Sequence, residues 1–292
     1  MTGAGPGADS GSVLAGTGFP SGRATEIRPI GIFDSGMGGL TVMRALKARL
    51  PGESFLYLGD TARLPYGTKS AETVTRYAIQ AARALLAHDI KLLVVACNTA
   101  SAAALPALRA ALAPLPVVGV IDPGAAAAVA AAPEGPIAVI ATEGTVKGGA
   151  YVRAIQAIAP QMPVVQQAAP LFVALAEEGL RGGEIARLVA ERYLTPLLNT
   201  LPRPRGLVLG CTHFPVLKNV IATVAGADLA IIDSAETTAQ AVEKILEEEK
   251  LLAAGPGRSR FLCTDAPGRF AHLGEIFLGE PIDPGAVTLV DL

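Results

Sequence analysis

The sequence predicts an α/β protein made of two pseudo-symmetric α/β domains with mainly parallel sheets and an active site in the interdomain cleft. Three observations predict it. Short apolar runs alternate along the chain with stretches that carry apolar residues at helical spacing, the pattern of βαβ units. The strand-like runs are continuously apolar, as in strands covered by helices on both faces. A loose internal repeat supplies the third. The first half holds IGIFDSGMGG, ending at Gly39, and then LLVVACNTAS around Cys97; the second holds IAVIATEGTV around Thr142 and then LVLGCTHFP around Cys211. Two units that face each other would put both cysteines on one cleft, at the strand ends where open sheets bind ligands.

The elements follow in order. A strand at 29–33 runs into the turn Asp34-Ser35-Gly36, and a helix over 40–50 follows. A strand at 54–58 leads to Asp60 and the loop Pro65-Tyr66-Gly67-Thr68, before a helix over 71–88. The strand at 92–96 ends on Cys97, and one at 117–121 ends on Asp122-Pro123-Gly124. Beyond it lie strands at 137–141, 164–168, 207–209 and 230–232, a helix over 183–200, and a helix over 237–252 in the tail. The division falls near Asp122 and again near Asp233-Ser234. Residues 27–121 with 235–292 are expected to form the first domain and 122–234 the second, while 1–26, rich in Gly, Ser, Ala and Thr, read as a disordered N-terminal extension.

Bulk composition narrows the function. The 292 residues are 51% hydrophobic and 17% charged with a net charge of −2, which argues against a nucleic-acid partner. Apolar runs are broken by Gly, Pro or charge well short of the ~20 residues a membrane span needs, so no membrane is expected. Three cysteines in a chain without a signal-like start point to reduced thiols and a cytoplasmic setting.

A lone free cysteine is usually an inert core residue, and Cys263 is read that way. Cys97 and Cys211 differ, because they occupy matching places in the repeat and precede polar donors, Asn98-Thr99 and Thr212-His213. Backbone N–H groups at the start of a following helix would stabilise a thiolate. Thiols on both faces of a substrate suit the inversion of a stereocentre: one removes a proton from carbon and the other returns one from the opposite side. A cysteine hydrolase would want a Cys–His pair with an orienting group; His213 lies two residues from Cys211, and sequence adjacency alone does not make that pair. A zinc site would want clustered ligands, no CxxC appears, and no metal is expected.

Asp34 reads either as a turn or N-cap residue or as the group that orients a base or holds a substrate ammonium, with Ser35 binding polar substrate atoms. The Pro65–Thr68 loop, Thr142 and Thr145 suit a carboxylate. His88 and His272 look like surface residues, which leaves His213 as the functional histidine. Gly36-Met37-Gly38-Gly39 fits neither the dinucleotide fingerprint nor the P-loop, and Lys147 alone does not make a pyridoxal site. Catalysis without a cofactor is expected.

FDSGMGGLTV, LGDTARLPYGTKS, VVACNTASA, VIATEGTV and LGCTHFP, in this order, resemble the glutamate racemases of bacterial cell-wall synthesis. The resemblance implies cofactor-independent, two-base racemisation of L-glutamate to D-glutamate for peptidoglycan biosynthesis, cell-wall biogenesis and cell shape. It makes Cys97 the base for the D-enantiomer and Cys211 for the L-enantiomer, assisted by Asp34, His213 and Glu177 of LAEEG. It matches Asp34-Ser35, Tyr66-Gly67, Asn98-Thr99 and Thr212-His213 to substrate-binding pairs, and it implies a homodimer. A racemase of aspartate or hydantoin, and a two-lobed amino-acid-binding protein without chemistry, are the competing readings.

Overall fold

A computed structural model describes residues 27–292; the expected extension over 1–26 lies outside the described residues. The first half comprises β1 (Ile30–Asp34), α1 (Leu40–Arg49), β2 (Phe55–Gly59), α2 (Ala71–Leu86), β3 (Leu92–Val95), α3 (Asn98–Leu112) and β4 (Val117–Gly119). Then come α4 (Ile121–Ala131), β5 (Ile137–Ala141), α5 (Glu143–Gly148), α6 (Ala150–Ile158), β6 (Val164–Ala168), α7 (Leu171–Glu177), α8 (Gly183–Leu198), β7 (Gly206–Gly210), α9 (Lys218–Ala225) and β8 (Ala230–Asp233). The tail adds α10 (Ser234–Glu248), β9 (Ser259–Cys263), α11 (Pro267–Leu278) and β10 (Val287–Leu289).

Two sheets result, one ordered β10-β9-β2-β1-β3-β4 and the other β6-β5-β7-β8. Every recorded strand pair is parallel. The orders β2-β1-β3-β4 and β6-β5-β7-β8 are the same arrangement used twice, which is the structural form of the sequence repeat. In each sheet the winding reverses beside the first strand, between β1 and β3 and between β5 and β7, and the carboxyl ends at such a point form a ligand crevice.

All residues of β1, β2, β3, β5 and β7 are buried, as their unbroken apolar runs require. The edge strand β6 (VVQQA) is half-buried throughout. Among the described residues no helix is long and apolar enough to cross a membrane.

The structure corrects several expectations. Ile121 does not end a strand; it opens α4, and Asp122-Pro123-Gly124 form that helix's first turn. Proline is tolerated there because the first helical N–H groups have no intrahelical acceptor. The tail helix starts at Ser234, where the Asp233 carboxylate accepts from Ala235 N at 2.9 Å, and it ends at Glu248 rather than at 252. β9 and β10 were not anticipated: one opens on the polar pair Ser259-Arg260 and the other has three residues.

The return from α10 to β9 is pinned inside the first half. Lys91 Nζ lies 2.6 Å from Glu53 Oε2 and donates to Leu251 O at 2.6 Å, while Glu53 Oε1 accepts from Ala253 N at 2.8 Å. Both side chains are buried.

Candidate active site

The carboxyl ends of β1, β3, β5 and β7 converge on a cavity of roughly 360 Å³, within the ~300–1,000 Å³ typical of small-molecule sites. Cys97 and Cys211, from different sheets, both line it. Each is 5% exposed and each belongs to a separate apolar cluster, so the cavity is where the two clusters meet. Ser35, Pro65, Tyr66, Gly67, Asn98 and Thr99 are on its wall from the first half, and Thr142, Glu177, Thr212 and His213 from the second. Asp34 and Thr145, also expected at the site, are absent from the wall. Each is fully buried one layer behind it.

The two thiols are supported differently. Cys97 is the N-cap of α3: its sulfur accepts from Ala100 N at 3.5 Å and lies 3.5 Å from Ser35 Oγ. Burial pushes its pKa up to about 12, and the Asp34 charge adds to that, against the opposing effect of the Ser35 and Ala100 contacts. At neutral pH Cys97 is therefore a thiol, a proton donor.

Cys211 departs from the helix-start expectation. A 3-10 turn over Phe214–Leu217 follows it, and the His213 side chain takes over the supporting role. His213 Nδ1 lies 3.8 Å from Cys211 Sγ and Nε2 lies 3.2 Å from Glu177 Oε1. Burial lowers the histidine's pKa, but the contacts with Cys211 and Glu177 outweigh it, and the net value is pushed up to about 10. The hydrogen bond to His213 in turn holds Glu177 below the ordinary carboxylate range. The site thus places an imidazolium beside the Cys211 sulfur, the charge with which a thiolate pairs.

This shift has a stability consequence. A folded value near 10 against the ordinary 6.5 means that the protonated histidine stabilises the fold fully below pH 6.5, and that the contribution fades as pH rises through about 10. The unfolding midpoint of His213→Asn should therefore approach that of the wild type between pH 6.5 and 10. A gap independent of pH would show that the imidazolium is not its source.

Polar contacts bridge the halves. Thr99 Oγ1 is 2.9 Å from Thr142 Oγ1, and Thr145 Oγ1 is 3.4 Å and 3.1 Å from these two, so Thr145 sets the hydroxyls that face the cavity. Asn98 Nδ2 donates to Tyr151 Oη at 2.8 Å, which turns its Oδ1, buried and without a partner among the described residues, to other use. Tyr66 is held by a network that sequence reasoning did not assemble. Its hydroxyl donates to Asp60 Oδ2, Arg63 Nε donates to the same oxygen at 2.7 Å, and Thr264 Oγ1 donates to Asp60 Oδ1 at 3.0 Å. Sequence reasoning also missed Leu64, Glu143, Val173 and Ala174 on the wall. Val173, Ala174 and Glu177 share a face of α7 at helical spacing, a signal visible in LFVALAE once that segment is taken as a helix.

Comparison with known proteins shows the family. A family model described as Asp/Glu/Hydantoin racemase matches residues 30–242. A glutamate racemase from Geobacter metallireducens is 51% identical over 257 residues, 86% of this chain and 93% of that protein. Among solved structures, a glutamate racemase isoform from Bacillus anthracis superposes with a TM-score of 0.87 at 38% identity, covering 91% of this chain and 98% of that one. A Francisella tularensis glutamate racemase in complex with D-glutamate gives 0.84 at 36% identity, with the same coverage.

Proposed function

The chain belongs to the Asp/Glu/hydantoin racemase family, and from that premise we propose that it interconverts L- and D-glutamate by two-base proton transfer between Cys211 and Cys97, supplying D-glutamate for peptidoglycan. The observation that carries the proposal is that two cysteines on separate sheets line one amino-acid-sized cavity.

In the L-to-D direction the Cys211 thiolate removes the α-proton and becomes a thiol, leaving a carbanion conjugated with the α-carboxyl group. The Cys97 thiol then delivers its proton to the opposite face and becomes a thiolate. The reverse direction runs the same steps backwards. His213 and Glu177 assist at Cys211. Asp34, which lies behind Cys97, opposes charge there and so favours the protonated state needed for donation. The hydroxyl, amide and N–H groups of Ser35, Asn98, Thr99, Thr212 and Thr142 suit the substrate's charged ends, and Tyr66-Gly67 closes the wall. Donors held in a dry cleft are worth most where charge develops during reaction.

Incubation of L-glutamate in deuterated water tests this. The expected result is loss of optical rotation with deuterium at the α-carbon of the D-product. A binding protein would produce neither change, and turnover of aspartate or hydantoin in place of glutamate would move the assignment within the family.

Sheet membership supports residues 27–121 with 235–292 as one domain and 122–234 as the other. On that division, liganded and free crystal structures should differ by a rotation about 120–122 and 233–235, and bending elsewhere would refute it. A homodimer in the cytoplasm completes the proposal, supported by exposed Leu171, Ile185 and Leu188 on α7 and α8. Sedimentation as a monomer, or fractionation outside the cytoplasm, would overturn it.

A further inference from the structure

Gly36-Met37-Gly38-Gly39 matches no phosphate-binding motif, yet the loop sits between β1 and α1 and packs against the other half of the molecule. A Cβ built on Gly38 would lie 2.3 Å from His213 Nδ1, 2.4 Å from His213 Cε1 and 2.7 Å from Thr212 Oγ1. All three atoms belong to the other half of the molecule, and Nδ1 is the atom that faces the Cys211 sulfur. Thr41, buried at the start of α1, sits with its Oγ1 2.9 Å from Gly38 O and 2.9 Å from Thr212 O. Gly39 is equally tight, since a Cβ there would lie 2.6 Å from Asp34 Cβ.

We propose that Gly38, with Thr41, forms a seat on which the Thr212-His213 segment rests, which makes Gly38 a positioning residue for His213 and, through it, for proton transfer at Cys211. The inference rests on the racemase reading and deepens it. The imidazole is enclosed by groups from both halves: Gly38 and the Phe277 ring, its centroid 5.1 Å away, from the first, and Glu177 and Cys211 from the second. The recorded partners of the Cys97 sulfur, Ser35 and Ala100, are both in its own half. Docking of the two halves therefore sets the geometry of one base and leaves the partners of the other intact. Only glycine leaves room for that docking, because a Cβ closer than 3.0 Å to another atom forces something to move.

A double-mutant cycle between Gly38→Ala and His213→Asn tests the seat, with kcat in both directions and the thermal midpoint as readouts. The added methyl displaces the imidazole, and misplacement by an ångström costs on the order of 10²-fold. Gly38→Ala alone should lose about that much in kcat. Placed on His213→Asn, which removes the two shortest contacts and leaves only Thr212 Oγ1 at 2.7 Å, a hydroxyl that can turn aside, it should cost less than about threefold more, because the group it acts through is already gone. Full activity in Gly38→Ala or in His213→Asn, or penalties that multiply in the double variant, would overturn the seat. Should Gly38→Ala fail to fold, Thr41→Val carries the same cycle. It should lose about tenfold alone, the size of one hydrogen bond, and nothing further on His213→Asn, and multiplying penalties again overturn it. Failure of the racemase reading looks different, since the wild type itself would then leave glutamate unchanged.

Discussion

Cys97→Ser and Cys211→Ser should each lower racemisation by about 10²–10⁴-fold or more in both directions, the loss expected when a general acid or base is removed. The symmetry of the loss follows from the reaction. Enantiomers have equal free energy, so kcat/KM for the two directions must stay equal in every variant, and each thiol acts as base in one direction and acid in the other. The asymmetry appears in exchange. In deuterated water Cys97→Ser should still wash out the α-hydrogen of L-glutamate, through Cys211, and not that of D-glutamate; Cys211→Ser should do the converse. Proton NMR of each enantiomer measures this. Full racemisation by either variant would end the two-base scheme, and equal exchange of both enantiomers would end the assignment of sulfurs to faces. Folding should be nearly untouched, because each replacement swaps sulfur for oxygen at a cavity wall.

The second large effect falls on stability. Lys91→Met leaves the Glu53 carboxylate buried without its counter-charge, and breaking a buried pair from one side costs about 3–5 kcal/mol. For a chain of this size that corresponds to a fall in Tm of roughly 10 °C. Adding Glu53→Gln should recover more than half of the loss. The amide oxygen can still accept from Ala253 N, and no charge remains buried. A loss below about 1 kcal/mol for Lys91→Met, or no recovery in the double variant, would show that the pair does not pin the return segment. Catalysis well below the midpoint should be unchanged in both variants, since neither side chain reaches the cavity.

Physical causes separate what was legible in the sequence from what was not. β1 to β5 and β7 are legible because strands covered on both faces must be apolar without interruption, and a run such as LLVV or IAVIA has few other uses. β9 escapes because it opens on the polar pair Ser259-Arg260, and β10 because three residues are too few to show the pattern. The opening of α4 reads as a strand because Ile121 extends the apolar run of β4, and an alanine helix packed between sheet and helices shows little polar face. At the site, Cys97, Asp34, Thr142 and Cys211 stood out because each ends a strand at a matching place in the repeat. Asp60 reads as a loop residue because its work, holding Tyr66 together with Arg63 and Thr264, includes a partner 204 residues away. The choice of glutamate came from resemblance to a family, not from spacing or composition.

That two α/β units recur, and that each ends a strand on a cysteine, can be read from the chain alone, because burial periodicity and strand-end chemistry are local and written residue by residue. Folding is what brings the two sulfurs to one cavity, holds Cys97 as a thiol while Cys211 faces an imidazolium, and lets a glycine in one half make room for the histidine of the other. Those facts depend on distances between residues far apart in the chain. A glycine's contribution in particular is the space it leaves empty, which no side-chain pattern can announce.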